Sequence, residues 1–294
     1  MTLAETASHA PVALIAGNGR IPLQVANALV AAGRECKVVA IRGEADAATR
    51  SLASAELGWG EIGRLYAFLN KSGCRDVMLI GGVSKRPDFA SILGDLGTLR
   101  RLPTIIRALA GGDDSLLTKV IGLFEVEGFR VVGIKDVAPG LLAASGVLGK
   151  TQPRDTDWHD IQLALTATQK LGELDIGQAA VAIGGRVVAL EGAEGTDAML
   201  ERCADLRGSG RIRAKNKTGV LVKTAKPNQD LRVDLPTIGP RTIERAEAAG
   251  LAGIAIEAGG ALISDREETL AQADRAGLFV IGIDQSKVSQ GPAE

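Results

Sequence analysis

The residues best suited to chemistry lie in the second half of this 294-residue chain. Val222-Lys223-Thr224-Ala225-Lys226-Pro227-Asn228-Gln229-Asp230 carries two lysines, with Lys215 and Lys217 shortly before them. Upstream, Glu191-Gly192-Ala193-Glu194-Gly195-Thr196-Asp197 leaves an expected strand and enters an expected helix, so Glu194 and Asp197 share a face near the positive helix end. Carboxylates placed there either cap the helix or hold a hard divalent cation through their oxygens. Downstream, Arg232-Val233-Asp234-Leu235-Pro236-Thr237-Ile238-Gly239-Pro240 offers one acid between apolar neighbours, followed by a rigid proline turn and a helix start. Lysines grouped near carboxylates are what a diphosphate–metal site requires: Mg²⁺ bridges phosphate oxygens while the ammonium groups neutralise charge. On this reading Asp234 is catalytic or a metal ligand, Lys223 and Lys226 stabilise developing charge, and Glu194 or Asp197 helps hold the metal. A solvated loop would account for the same lysines, and a helix-entry role for the same aspartate.

The first half contributes glycine turns rather than titratable groups. Leu14-Ile15-Ala16-Gly17-Asn18-Gly19-Arg20-Ile21-Pro22 sets a glycine pair between the first strand and first helix, where backbone amides can hold a phosphate. Gly17, Asn18 and Gly19 are therefore expected ligand contacts. The third glycine of a dinucleotide fingerprint falls on Pro22, and the second strand runs into Arg42-Gly43 with no acid at its end, which disfavours a nicotinamide cofactor. Gly81-Gly82-Val83-Ser84-Lys85-Arg86-Pro87 follows another buried strand, and its Gly82 and Ser84 suit an anionic ligand. Gly149-Lys150-Thr151 imitates the end of a phosphate-binding P-loop, but Ala144 stands where the first glycine is required. No G-x-S-x-G elbow occurs, His9 sits in the N-terminal tail and His159 is the one other histidine, so a serine triad or a His-rich zinc site has little material.

The elements that must position these residues read as alternating strands and helices, the pattern that builds parallel sheets. Expected strands are 12–16, 37–41, 77–81 and 129–134, with helices 22–33, 61–72 and 114–127, the last capped by Gly112-Asp113-Asp114. After about Asp136 the text turns to small uncharged residues, which marks an interdomain connection and divides the chain into 1–140 and 141–294. Beyond it come a helix at 155–171, a hairpin of 179–183 and 186–191 joined by Gly184-Gly185, and helices at 195–205, 242–249 and 266–276. Further strands are expected at 220–223, 253–257 and 279–283. The fold class is α/β in two domains: an N-terminal Rossmann-like parallel-sheet domain and a C-terminal mixed α/β domain.

Composition narrows the function classes. Hydrophobic residues are 46% and charged residues 23%, which excludes a disordered chain. A formal net charge of -1 lacks the basic footprint of a nucleic-acid binder. The longest uncharged run, 6–19, is shorter than the roughly 20 apolar residues of a spanning helix. The first ten residues carry no Lys or Arg and no apolar run, so the expected compartment is the cytoplasm. Cys36, Cys74 and Cys203 show no paired spacing and are expected to be reduced and structural. Only eight aromatics stand beside 37 glycines, so backbone groups are expected to do much of the binding.

Four segments in order carry a family resemblance: Asp175-Ile-Gly-Gln178, Glu194-Gly-Thr-Asp-Ala-Met-Leu200, Lys223-x-x-Lys226-Pro-x-Gln229 and Val233-Asp-Leu-Pro-Thr-Ile-Gly239. Together they resemble the UDP-2,3-diacylglucosamine pyrophosphatases of the LpxI type, from lipid A biosynthesis. The resemblance extends through the glycine-rich first turn, the Gly-Gly-Val-Ser segment with Arg86-Pro87-Asp88-Phe89, and Gly112-Asp113-Asp114; Asn18 and Arg20 depart from the usual glycine-richer turn. It implies a magnesium-dependent cytoplasmic hydrolase, with manganese as a substitute, that splits the substrate into UMP and 2,3-diacylglucosamine 1-phosphate. It further implies two domains with the substrate between them, attack of water on the phosphorus nearer the sugar, and a catalytic aspartate at Asp234. Asp175, Gln178, Gly195, Thr196 and Thr237 join Gly17, Asn18, Gly19, Gly82 and Ser84 as expected substrate contacts. The expected partner is a lipid-linked UDP-sugar, with at most peripheral contact at the inner membrane and a homodimer as the prior for assembly. The rival readings are a noncatalytic nucleotide-sugar sensor and a nicotinamide-dependent oxidoreductase.

Overall fold

A computed structural model of the chain describes residues 10–84, 97–98, 113–214, 216–227 and 229–284. His9, the segment Lys85 to Phe89, Gly112, Lys215, Asn228 and the side chains of Asp113 and Asp114 lie outside the described residues. The chain divides into two compact units, one running to Ala138 and taking in Arg232–Asp234, the other made of Pro139–Leu231 and the residues from Leu235 onward.

The first unit is built on strands β1 (Val12–Ala16), β2 (Cys36–Ile41), β3 (Ala53–Leu57), β4 (Asp76–Ile80) and β5 (Arg130–Val131). They pair in the order β3-β2-β1-β4-β5, and every pairing is parallel. Helices α1 (Ile21–Ala31), α2 (Ala47–Ser51), α3 (Ile62–Lys71), α4 (Asp113–Val126) and α5 (Ile134–Val137) fill the connections. β1 is buried at all five positions, as a central parallel strand covered on both faces must be. The strand order reverses between β1 and β4, the switch point at which open α/β sheets bind ligands. The expected strand at 129–134 shrinks to two residues because the Gly133 N–H donates to the Asp136 carboxylate (2.8 Å) and starts α5.

In the second unit, β6 (Gly146–Val147), β7 (Ala179–Ala182), β8 (Val187–Leu190), β9 (Val220–Lys223), β11 (Gly253–Glu257) and β13 (Phe279–Ile283) form one sheet in the order β6-β13-β11-β9-β7-β8. Strands β9, β11 and β13 run parallel, while β7 is antiparallel to both β8 and β9. A separate parallel pair joins β10 (Thr237–Ile238) to β12 (Leu262–Ile263). Helix α6 (Asp155–Glu173) covers one sheet face with Ile161, Ala164 and Leu165 against Val220, Val222 and Phe279. Helices α7 (Gly195–Gly208), α8 (Pro240–Ala248) and α9 (Arg266–Arg275) cover the other, with Met199, Leu200, Ile243 and Ala273 in a core shared with Leu221 and Ile254. The β7–β8 hairpin turns on Gly184 and Gly185, both at positive φ, and the Asp160 carboxylate accepts both of their N–H groups (2.9 and 2.7 Å). All three cysteines are free thiols, and burial pushes the Cys203 thiol up to about 11. Among the described residues no helix is long and apolar enough to cross a membrane.

The mixed architecture and the two-domain division match the expected fold class. One buried charge stands out in the first unit: Asp76, 2% exposed at the start of β4. Arg130 forks onto it through Nε (2.7 Å) and Nη2 (2.8 Å), and Arg34 reaches Oδ2. Burial alone would raise its pKa, but the hydrogen bonds and charges of Arg130 and Arg34 hold it below the usual range. A depressed folded-state value means that the stabilisation is present above the unfolded carboxyl's pKa of about 3.9 and fades as pH falls through the folded value. Asp76→Asn should therefore cost about 2 kcal/mol at pH 7, with the gap to the unmutated protein narrowing below pH 4. Equal denaturation midpoints at pH 7 would contradict this assignment.

Candidate active site

Strand β9 is fully buried, and its last residue, Lys223, stands in register with Ala179 of β7 and Ile256 of β11. The strand thus delivers an ammonium group to the C-terminal end of the parallel strands, with only 9% of the residue exposed. Lys223 Nζ donates to Thr196 Oγ1 (3.0 Å) and to the Thr237 carbonyl (3.2 Å). Thr196 lies in the first turn of α7, entered through Gly195 at φ 81°, a conformation that favours glycine. Its hydroxyl donates in turn to Glu191 Oε1 (2.5 Å), and Glu191 Oε2 accepts the Gln178 N–H (2.9 Å). Glu191, 6% exposed, follows β8 directly.

The network gathers Gln178, Thr196, Lys223 and Thr237, all expected site residues, with Gly195 at the helix entry beside them. It adds Glu191, whose sequence position suggests no more than a strand end. No spacing rule marks a glutamate that accepts a hydrogen bond from a hydroxyl five residues on; its burial is what draws attention to it. The Gln178 side-chain oxygen is buried with no hydrogen-bond partner among the described residues. An unmet acceptor costs about 1–3 kcal/mol, which a ligand donor would relieve. Glu257, at the end of β11, accepts the Ala225 N–H (3.1 Å) and fixes the turn after Lys223.

The other expected residues of this unit are tied into ion pairs. Lys226 Nζ meets Asp175 Oδ1 at 2.5 Å, Asp175 having a positive φ of 55°, and the Lys226 N–H donates to Gln229 Oε1 (2.9 Å). Glu194 pairs with Arg202 (3.0 Å) and Asp197 with Arg241 (2.8 Å). Among the described residues no group of three or more His, Cys, Asp or Glu side chains is gathered to hold a metal. A preformed protein cage is thus absent from them, whereas a site completed by phosphate oxygens needs only one or two carboxylates.

In the first unit the two glycine turns at the switch point are bonded to each other. The Asn18 N–H donates to the Gly82 carbonyl (2.8 Å), the Gly82 N–H to the Asn18 carbonyl (2.9 Å), and the Gly17 N–H to the Ile80 carbonyl (2.9 Å). A Cβ on Gly17 would lie 2.2 Å from the Gly82 carbonyl oxygen, so glycine is required there. The amides of Asn18 and Gly82 serve this bridge. Gly19 keeps a positive φ of 91°, and the exposed Ser84 gives its N–H to Glu44 Oε2 (2.7 Å). Asp234 is half-buried and groups with this unit: Val233 packs against the core that includes Tyr66 and Phe124, and Arg232 pairs with Glu125 (3.0 Å).

Gly177 shows how closely the Glu191 segment is packed, because a Cβ there would lie 2.3 Å from the Glu191 carbonyl oxygen. Gly177→Ala should lower stability by about 1–3 kcal/mol in chemical denaturation, as overpacked sites do. Unchanged stability would show that the segment yields freely.

Family models for the LpxI N-terminal domain and the LpxI C-terminal domain match residues 11–141 and 144–281 respectively. The chain is also 46% identical over 271 residues to a protein of Caulobacter vibrioides named UDP-2,3-diacylglucosamine pyrophosphatase LpxI, spanning 92% of this chain and 96% of that protein.

Proposed function

The chain belongs to the LpxI family, and from that premise we propose that it hydrolyses the diphosphate of UDP-2,3-diacylglucosamine to UMP and 2,3-diacylglucosamine 1-phosphate, in lipid A biosynthesis. The observation that carries the reading is the buried Lys223 ammonium at the strand end, held by Thr196 and the Thr237 carbonyl, in a chain whose Caulobacter relative bears the name of this activity. An ammonium fixed in a water-poor setting stabilises a phosphoryl oxygen more strongly than one on a mobile surface chain.

In this reading Lys223 neutralises charge that develops on the diphosphate, and Lys226 adds a second positive group once released from Asp175. Gln178 offers its unmet side-chain oxygen to a hydroxyl or N–H of the substrate. Gly17, Asn18, Gly19, Gly82 and Ser84 contribute the binding surface of the first unit. Asp234 orients the attacking water and takes its proton as it adds to phosphorus, the bond to the leaving phosphate oxygen breaking in the same displacement. Mg²⁺, replaceable by Mn²⁺, belongs to the proposal: Asp234 would help to hold it, and it would supply Lewis-acid charge neutralisation. Glu194 or Asp197 would join it only by leaving Arg202 or Arg241. A lipid substrate would bring the protein, as a peripheral cytoplasmic enzyme, to the inner membrane, with a homodimer as the simplest assembly.

The test is release of UMP from UDP-2,3-diacylglucosamine by the purified protein, with Mg²⁺ and with EDTA, beside Asp234→Ala. We expect metal-dependent release that falls about 100-fold or more in the variant. No release under any metal condition would overturn the hydrolase reading, release unaffected by EDTA would overturn the magnesium assignment, and near-normal turnover by Asp234→Ala would remove that residue from the chemistry.

A further inference from the structure

We propose that Glu191 is the positioning residue of this site, holding Lys223 in its working orientation through the hydroxyl of Thr196; the inference rests on the hydrolase reading above and deepens it. A threonine hydroxyl has one proton and two lone pairs. At 2.5 Å from Glu191 Oε1, that proton is committed to the carboxylate, at the short distance typical of a hydroxyl donating to an ionised acceptor. The lone pairs of Oγ1 are then left to face Lys223 Nζ, 3.0 Å away, so the hydroxyl is an obligate acceptor for the ammonium.

The ammonium has three N–H bonds. Thr196 accepts one and the Thr237 carbonyl another, so these two contacts set the orientation of the ammonium. Glu191 is itself held by two donors, Thr196 Oγ1 on Oε1 and the Gln178 N–H on Oε2. That double acceptance requires a carboxylate. A glutamine there must turn its NH₂ toward one of the two donors, and if it faces Thr196 the hydroxyl reverses and aims its proton at the ammonium. The nearby negative charge also offsets the cost of burying Lys223, since a buried cation is tolerated when paired through hydrogen bonds. Glu191 is assigned no contact with substrate; its effect passes through Thr196 and Lys223.

A merely structural role for Glu191 would lower stability and would act regardless of what stands at position 223. Coupling therefore separates the two, and the double-mutant cycle of Glu191→Gln and Lys223→Met on kcat measures it. We expect Glu191→Gln to lower kcat about 10-fold or more in the unmutated background and to have little further effect when Lys223 is already Met. Thr196→Val should behave like Glu191→Gln, and Thr196→Ser, which restores the hydroxyl, should recover most of the rate. The same cycle run on UDP affinity by calorimetry gives a readout that needs no turnover. Equal losses from Glu191→Gln in both backgrounds, or no loss in either, would overturn the proposal. An unmutated protein that releases no UMP would overturn the hydrolase reading instead, with the coupling still decided by UDP affinity.

Discussion

The second unit is organised around one lysine side chain that is nearly excluded from water and held by hydrogen bonds. Lys223 ends a strand whose other residues are buried aliphatics, and it donates to Thr196 in the first turn of α7, itself bonded to Glu191 at the end of β8, and to the Thr237 carbonyl of β10. Each of those positions is fixed by packing elsewhere. The β7–β8 hairpin is held by Asp160 on α6, and α7 by Met199, Leu200 and Cys203 in the core beneath it. A local charge requirement thus draws on the whole sheet, which is how a fold keeps a functional group within a fraction of an ångström of its place.

The first unit meets a different constraint with backbone alone. At its switch point two loops approach so closely that side chains at 17 and 82 would collide with the opposing loop, and the loops exchange two backbone hydrogen bonds. The glycines are there for close approach. The expectation that they mark a binding turn and the observation that they brace two loops are compatible, because a braced loop presents a ligand with a surface that costs little entropy to order.

Much of this was legible in the sequence. Short apolar runs such as 12–16, 220–223 and 279–283, set between helical segments, read as buried strands by length and flanking turn residues, and the Gly184-Gly185 hairpin is signalled by turn chemistry. β3 gives no clear strand signal in the sequence, because Ala53-Ser-Ala-Glu-Leu57 is an edge strand with no β-branched residue. The two-residue strands β10 and β12 are too short for any period to register. Lys223, Thr196 and Gln178 stand out by their motifs, whereas Glu191 does not, since what marks it is burial and the hydrogen bonds it accepts from Thr196 and from the distant Gln178 N–H. The pairing of Glu194 with Arg202 and of Asp197 with Arg241 was hidden for the same reason: Arg241 comes from another helix, and a favourable position at a helix N-terminus says nothing about which cation claims the carboxylate.

The central claim is that Lys223 is held ready for a diphosphate. It is tested most directly by the crystal structure of the unmutated protein with Mg²⁺ and a UDP-2,3-diacylglucosamine analogue whose bridging oxygen is replaced by a methylene group. The account predicts a phosphate oxygen within hydrogen-bonding distance of Lys223 Nζ, with the Thr196 and Glu191 contacts retained. A diphosphate bound away from Lys223 would contradict it.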